Sequence, residues 1–241
     1  MTASLTYLQF HALAVLPVLA GLAVFARYRL GSRRDVLTGT AVLTLLALVY
    51  TTPWDNYLIL RGVWWYGEGA VLTRFWAAPL GEYLFFVLQP LLVGLWTAHL
   101  VVDTDQSLSL PIATRALGLL AAGVVAAVGV ALLGDERGLY LGSLLAWSAP
   151  ILAIQWAFGW PYLVAHWRTV AVGTLVPTLY LWLADTAALA LGVWVISDRY
   201  TTGLEIPLLS LPIEEAVFFL LTSLFVVQGL VLYVWLRDQW G

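Results

Sequence analysis

The chain has 241 residues, 62% of them hydrophobic and only 10% charged, with a mean hydropathy of +0.90. A soluble domain needs roughly 25% charged residues to cover its surface, so most of this chain is expected to face lipid, as one membrane bundle without a separate soluble domain. All eleven basic residues are Arg, Cys is absent and the net charge is -3, which excludes a lysine Schiff base to retinal, a phosphate-loop lysine, disulfides and thiolate or iron-sulfur chemistry, and gives no sign of nucleic-acid binding.

A spanning helix takes about 20 mainly apolar residues. Seven segments qualify, at residues 5–26, 36–60, 79–102, 114–133, 139–165, 169–196 and 208–236. The first lacks the charged leader of a signal peptide and is long enough to span, so it reads as a retained helix. Charges and turn formers collect between the segments, in the Arg27, Arg29, Arg33, Arg34, Asp35 cluster, at Asp103 and Asp105, across 134–138, at Arg168 and at Asp198 and Arg199. Seven helices place the termini on opposite sides. Arg27, Arg29, Arg33, Arg34, Arg115, Arg168 and Arg237 fall on one side, against Arg61, Arg74, Arg137 and Arg199 on the other. By the positive-inside rule the amino terminus is then outside and the carboxyl terminus cytoplasmic.

An internal repeat organises the chain. Tyr50, Asp55, Gly62, Val63 and Trp64 return as Tyr180, Asp185, Gly192, Val193 and Trp194 at an offset of 130. Pro79, Glu82, Phe85 and Phe86 return as Pro212, Glu215, Phe218 and Phe219 at an offset of 133. Segments two and three thus match six and seven, four helices apart, and an even shift preserves direction across the membrane. The expected fold is all-α, with two parallel three-helix repeats (residues 1–105 and 138–241) joined by a connector helix (106–137) and related by an axis along the membrane normal. Both copies of each motif then lie at one depth, in the outer half of the bilayer.

Five carboxylates lie within these segments or at their entrances: Asp55, Glu82, Asp185, Glu214 and Glu215. A charged carboxylate at the bilayer centre costs roughly 2.5 to 3.5 kcal/mol on insertion scales, so matched pairs need a reason. Two readings are open. In one, Asp55 and Asp185 only bond neighbouring helices, while Glu82 and Glu215 complement the dipole and cap amides in the first turn of their helices, after Pro79 and Pro212. In the other they do chemistry. Residues three and four apart share a helix face, so Glu82 faces the same way as Phe85 and Phe86, and Glu215 as Phe218 and Phe219. Burial away from cations favours the neutral acid form of a carboxyl group in general, and aromatic faces stabilise a cation that has no counter-ion.

Trp64, Trp65, Tyr66 and Trp194 either extend that aromatic wall or form an ordinary interfacial belt, and Gly62 and Gly192 are read as positions of close helix packing. Gly118, Gly123 and Gly129 in segment four are read the same way. The three His, at 11, 99 and 166, lie in separate segments without metal-ligand spacing and are read as interfacial. Gly67-Glu68-Gly69 follows no strand and lacks a third Gly, so it is no dinucleotide fingerprint. No nucleotide, flavin or metal site is expected.

At these motifs the chain resembles the integral-membrane lycopene cyclases. Pro53-Trp54-Asp55-Asn56-Tyr57 with Gly62-Val63-Trp64-Trp65-Tyr66, and Pro212-Ile213-Glu214-Glu215-Ala216-Val217-Phe218-Phe219, are similar to that family's blocks. The family occurs as two small subunits, as one fused chain in haloarchaea, and as the first domain of a bifunctional fungal enzyme; this chain looks like the fused form. The resemblance implies cofactor-free cyclisation of the linear ends of lycopene to β-ionone rings, through γ-carotene to β-carotene. It also implies a place in the cell membrane and contact with other carotenoid-pathway enzymes. Glu82 and Glu215 are then the acids or bases, Asp55 and Asp185 the second candidates, either as the complementary base or as residues holding a Glu in place, and Glu214 matches the family's paired acids where the first copy has Gly81. A shared pocket between pseudo-symmetric halves is favoured over two separate ones. Two other functions remain open on the residues alone: a proton-coupled transporter with midplane carboxylates, and a non-catalytic carotenoid-binding membrane protein.

Overall fold

The computed structural model describes residues 3–29, 34–100 and 111–240, with backbone alone at 27–29, 34 and 240. The side chains of Arg27, Arg29, Arg33 and Arg34, the turn at Asp103 and Asp105 and the start of the connector lie outside this description. Among the described residues seven helical stretches are long and apolar enough to span a membrane, as the composition requires. The first is built from α1 (Tyr7–Phe10), a π-helical turn (His11–Val15) and α2 (Leu16–Arg29). The others are α3 (Arg34–Arg61), α4 (Leu80–Thr97), α5 (Ile112–Leu132), α6 (Leu139–Ala165), α7 (Trp167–Ala190) and α8 (Ile213–Trp240).

The helices are apolar outside and carry their polar groups inside. Leu13, Phe25, Val49, Leu120, Ile154 and Leu183 are exposed, whereas Asp55, Asn56, Gln89, Thr178, Asp185, Glu214, Glu215 and Ser223 are buried. Lipid solvates the first set; helix packing must satisfy the second. α4 and α8 pack together at the centre, between α3 with α6 and the first span with α7. α5 lies against α6. There Gly118 and Gly129 have no room for a Cβ beside Trp156 and Ala146, but Gly123 faces open space, so only two of the three glycines serve close packing.

Three boundaries differ from the sequence expectation by five residues or more, the first being the third helix, which ends at Thr97 rather than 102. The sixth helix stops at Ala190 rather than 196, and the seventh starts at Ile213 rather than 208. For these last two the reason is local: Gly192 has φ +69 and Gly62 has φ +72, the left-handed cap that ends a helix, with no helix packed on Gly62. The chain after each cap is extended. β1 (Trp64–Tyr66) pairs antiparallel with β4 (Trp194–Ile196), while β2 (Arg74–Phe75) with β3 (Ala78–Pro79), and β5 (Glu205–Ile206) with β6 (Leu211–Pro212), make two small hairpins.

The β1–β4 register relates the two halves. Trp64 pairs with Ile196, the copy of Tyr66; Tyr66 pairs with Trp194, the copy of Trp64; and Trp65 pairs with Val195, its own copy. That exchange is what a two-fold axis through the central pair generates. Hydrogen bonds repeat likewise: the Tyr50 hydroxyl donates to the Trp147 carbonyl (2.9 Å) and the Tyr180 hydroxyl to the Ala14 carbonyl.

Candidate active site

Helix periodicity and the ribbon together aim the repeated motifs at one place. α3 and α7 carry Asp55 and Asp185 about two turns before their glycine caps, and the ribbon then folds Trp64, Tyr66 and Trp194 back over them. α4 and α8 begin directly after β3 and β6, with Glu82 and Glu215 in the first turn and the Phe pairs one turn further along the same face. All of these elements border a single cavity of about 50 Å³, lined among others by Asp55, Glu82, Asp185, Glu215, Trp64 and Trp194. Phe85, Phe86, Phe218 and Phe219 complete its aromatic wall. Among the described residues no basic side chain lines it.

The hydrogen bonds of the acids are specific. Tyr66 donates its hydroxyl to Glu82 Oε1 (2.7 Å) and receives the Trp64 indole N–H (3.3 Å). The Tyr7 ring, packed against Gly81, lines the same cavity. On the opposite wall Tyr140 donates to Glu215 Oε1 (2.8 Å), and Trp194 donates its indole N–H to Asp185 Oδ1 (2.9 Å). One oxygen of Asp55 and one of Asp185 are buried with no hydrogen-bond partner among the described residues. The bonds that hold Glu82 and Glu215 run to phenols of other elements, Tyr66 and Tyr140, rather than to amides of their own helices. Burial and the neighbouring Glu82 carboxyl push the Tyr66 phenol well above its ordinary pKa, so it stays a neutral donor through the neutral range.

Three sequence expectations need correction. Glu214 is not brought into the cavity. It is buried on the far side of α8, where Oε1 accepts from the backbone N–H (2.7 Å) and hydroxyl (2.8 Å) of Thr202 and so pins the 197–212 loop. In the first half Asn56 does this work, its Oδ1 accepting from the N–H groups of Ala77 and Ala78. Gly81 stands opposite Glu214 because the Tyr7 ring lies where a Cβ would be. His11 is not interfacial either: it is buried within the π turn, bonded to the Gly81 carbonyl (2.9 Å) and stacked on Phe85. Finally, Trp64, Tyr66 and Trp194 are buried, while Trp65 between them is exposed, so only Trp65 fits an interfacial belt.

Sequence reasoning missed Tyr7, Tyr140 and Trp54. Tyr7-Leu8 and Tyr140-Leu141 stand at the same offset of 133 as the Glu motifs, as do Pro17 and Pro150, a signal present in spans one and five. Trp54 has no copy, since Ala184 occupies its place. Its ring stacks on Trp147 (4.7 Å, 22°) and on Phe218 (6.0 Å, 10°), and adds a large π-face to the cavity wall.

No protein-family model and no solved structure matches the chain. Among curated proteins it is 47% identical over 235 residues to lycopene beta-cyclase of two Halobacterium salinarum strains, covering 98% of both chains. It is 35% identical over 232 residues to a bifunctional lycopene cyclase/phytoene synthase of Gibberella fujikuroi, where the match covers 93% of this chain and 39% of that protein. With identity of this extent along nearly its whole length, the chain belongs to the lycopene cyclase family.

Proposed function

We propose that the protein is a cofactor-free isomerase that closes the linear ends of lycopene into β-ionone rings, by way of γ-carotene to β-carotene. The observation that carries this reading is one cavity holding four carboxyl groups, aromatic faces and no basic side chain among its described lining. Glu215, which receives one phenolic hydroxyl, is the acid. Glu82, whose phenolic donor Tyr66 is itself polarised by the Trp64 indole N–H, is the base.

The steps balance without an electron acceptor. The Glu215 proton adds to the terminal double bond of the polyene and leaves a tertiary cation. The π electrons of a neighbouring double bond attack that cation, forming the ring carbon-carbon bond and moving the charge into the ring. Glu82 removes an adjacent ring proton, and that C–H pair becomes the ring double bond. The surrounding rings stabilise the transient charge by cation-π attraction, about 2 kcal/mol for a desolvated contact. Asp55 and Asp185 stand between the Glu residues and the ribbon, where they hold the site and return the proton to Glu215. The exclusion of water protects the cation from capture as an alcohol.

The two halves, 1–105 and 138–241 with connector 106–137, share this site. The Arg distribution supports an amino terminus outside the cell membrane and a site in the outer leaflet. Expression in lycopene-accumulating cells tests the reading: red pigment becomes β-carotene. Glu215→Gln and Glu82→Gln each lower turnover by about 100-fold or more with the fold retained. Unchanged lycopene with well-expressed wild-type protein, or full activity in both variants, refutes the assignment.

A further inference from the structure

A second, larger cavity of about 400 Å³ continues from the first, and Phe85, Phe86 and Phe218 line both. Beyond this aromatic neck it runs as a groove between α3 and α6, floored by α4 and α8. Its rim is open to lipid: Leu46, Tyr50 and Ile154 are 57%, 39% and 72% exposed. Polar groups along it are few: Gln155 donates to the Phe225 carbonyl and Thr222 to the Phe218 carbonyl, while Gln155 Oε1 and Trp147 Nε1 are buried without a partner among the described residues. The wall presented to an occupant is therefore largely hydrocarbon.

The two-fold relation would carry this groove to a second one between α7 and the first span. The Tyr50 and Tyr180 struts are the same on both faces, but the far ends differ. Gly229 lines the open groove. Its copy at offset 133 is Trp96, whose indole N–H crosses to the Val172 carbonyl of α7 (3.1 Å). Val18, Leu19 and Leu22 of α2 pack beside Tyr180, Leu92 and Val93 on that face. A fold with pseudo-symmetric acids thus has an asymmetric approach.

We infer that the α3–α6 groove is the binding channel for the polyene chain and its route in from the lipid, and that the protein closes one ring per visit and releases the monocyclic carotene before the second. This rests on the cyclase reading above. The inner cavity, roofed by the ribbon, has space for only a handful of water-sized groups, so it has no room for two end groups at once. The other end lies far down a stiff conjugated chain that cannot fold back. The molecule has to withdraw into the bilayer and reverse before its second end reaches Glu82 and Glu215.

The test uses the full chain in lipid vesicles supplied with excess lycopene. Ala47→Trp fills the groove and lowers turnover about tenfold or more. Val176→Trp, on the lipid face of α7 at the copy of Leu46, leaves turnover within about twofold, as surface changes do. Ala47→Phe repeats the test if the indole is not accommodated, and a thermal unfolding midpoint reports folding. Monocyclic carotene accumulates beyond one molecule per protein before the bicyclic product rises. Equal slowing by Val176→Trp, full activity of both Ala47 variants, or monocyclic product never exceeding the protein overturns the inference. A wild-type protein that leaves lycopene unchanged instead refutes the cyclase reading itself.

Discussion

Glu82 and Glu215 face one void from opposite halves of the chain, and each is held by a phenol from outside its own helix. Tyr140 reaches Glu215 from α6, and Tyr66 reaches Glu82 from β1. A hydrogen bond to a group that changes charge is worth roughly 1.5 to 3 kcal/mol. Tyr140→Phe removes the one phenolic donor at Glu215 among the described residues and is expected to lower kcat about 10- to 100-fold. Tyr66→Phe removes the corresponding donor at Glu82 and is expected to lower kcat to a similar degree; steady-state turnover of the two variants side by side checks this. Glu214 sits next to Glu215 in sequence but bonds Thr202 through Oε1. The carbonyl of a Gln accepts the same two bonds, so Glu214→Gln retains activity within a fewfold. Glu214→Ala loses both and destabilises by about 1 to 3 kcal/mol, seen as a lower unfolding midpoint.

At the scale of elements, what the sequence states depends on the solvent. In lipid an apolar run has no polar face to mark its rotation, so the existence of seven spans is legible from length and composition while their ends are not. Leu191-Gly192-Val193-Trp194-Val195-Ile196 is as apolar as the helix before it, and continuing α7 to 196 follows from that. The left-handed Gly192 ends the helix at a turn, and Trp194 to Ile196 then find backbone partners only in the other repeat, 130 residues away. The Glu motifs were legible because an acid and a Phe pair recur at one offset; the phenols that hold them come from elements whose sequence copies are short. Gly192→Ala forces a Cβ into left-handed backbone at a cost of about 1 to 2 kcal/mol. Because the ribbon roofs the cavity, this variant is expected to unfold at lower temperature and also to turn over more slowly. Ala190→Gly, two residues earlier and inside α7, costs about 1 kcal/mol without moving the roof, and serves as the control.

For the molecule as a whole, the shared cavity makes each half necessary to the other. Asp55, Glu82, Phe85 and Phe86 come from one repeat and Asp185, Glu215, Phe218 and Phe219 from the next, while β1 and β4 complete each other's pairing across the two-fold. The halves are therefore held by an interface that does not depend on the peptide link between α4 and α5. Severing the chain at residues 105–106 and expressing both pieces in one membrane is expected to restore a pigment-converting complex, at reduced yield because association now has to overcome the lost effective concentration of a tether. Either piece alone retains one of the two Glu residues that line the cavity, part of the aromatic wall and an unpaired edge strand at the ribbon. Neither is expected to cyclise lycopene. Activity from a single piece would mean that each repeat carries a complete pocket, and a two-fold axis would then relate two sites rather than pass beside one.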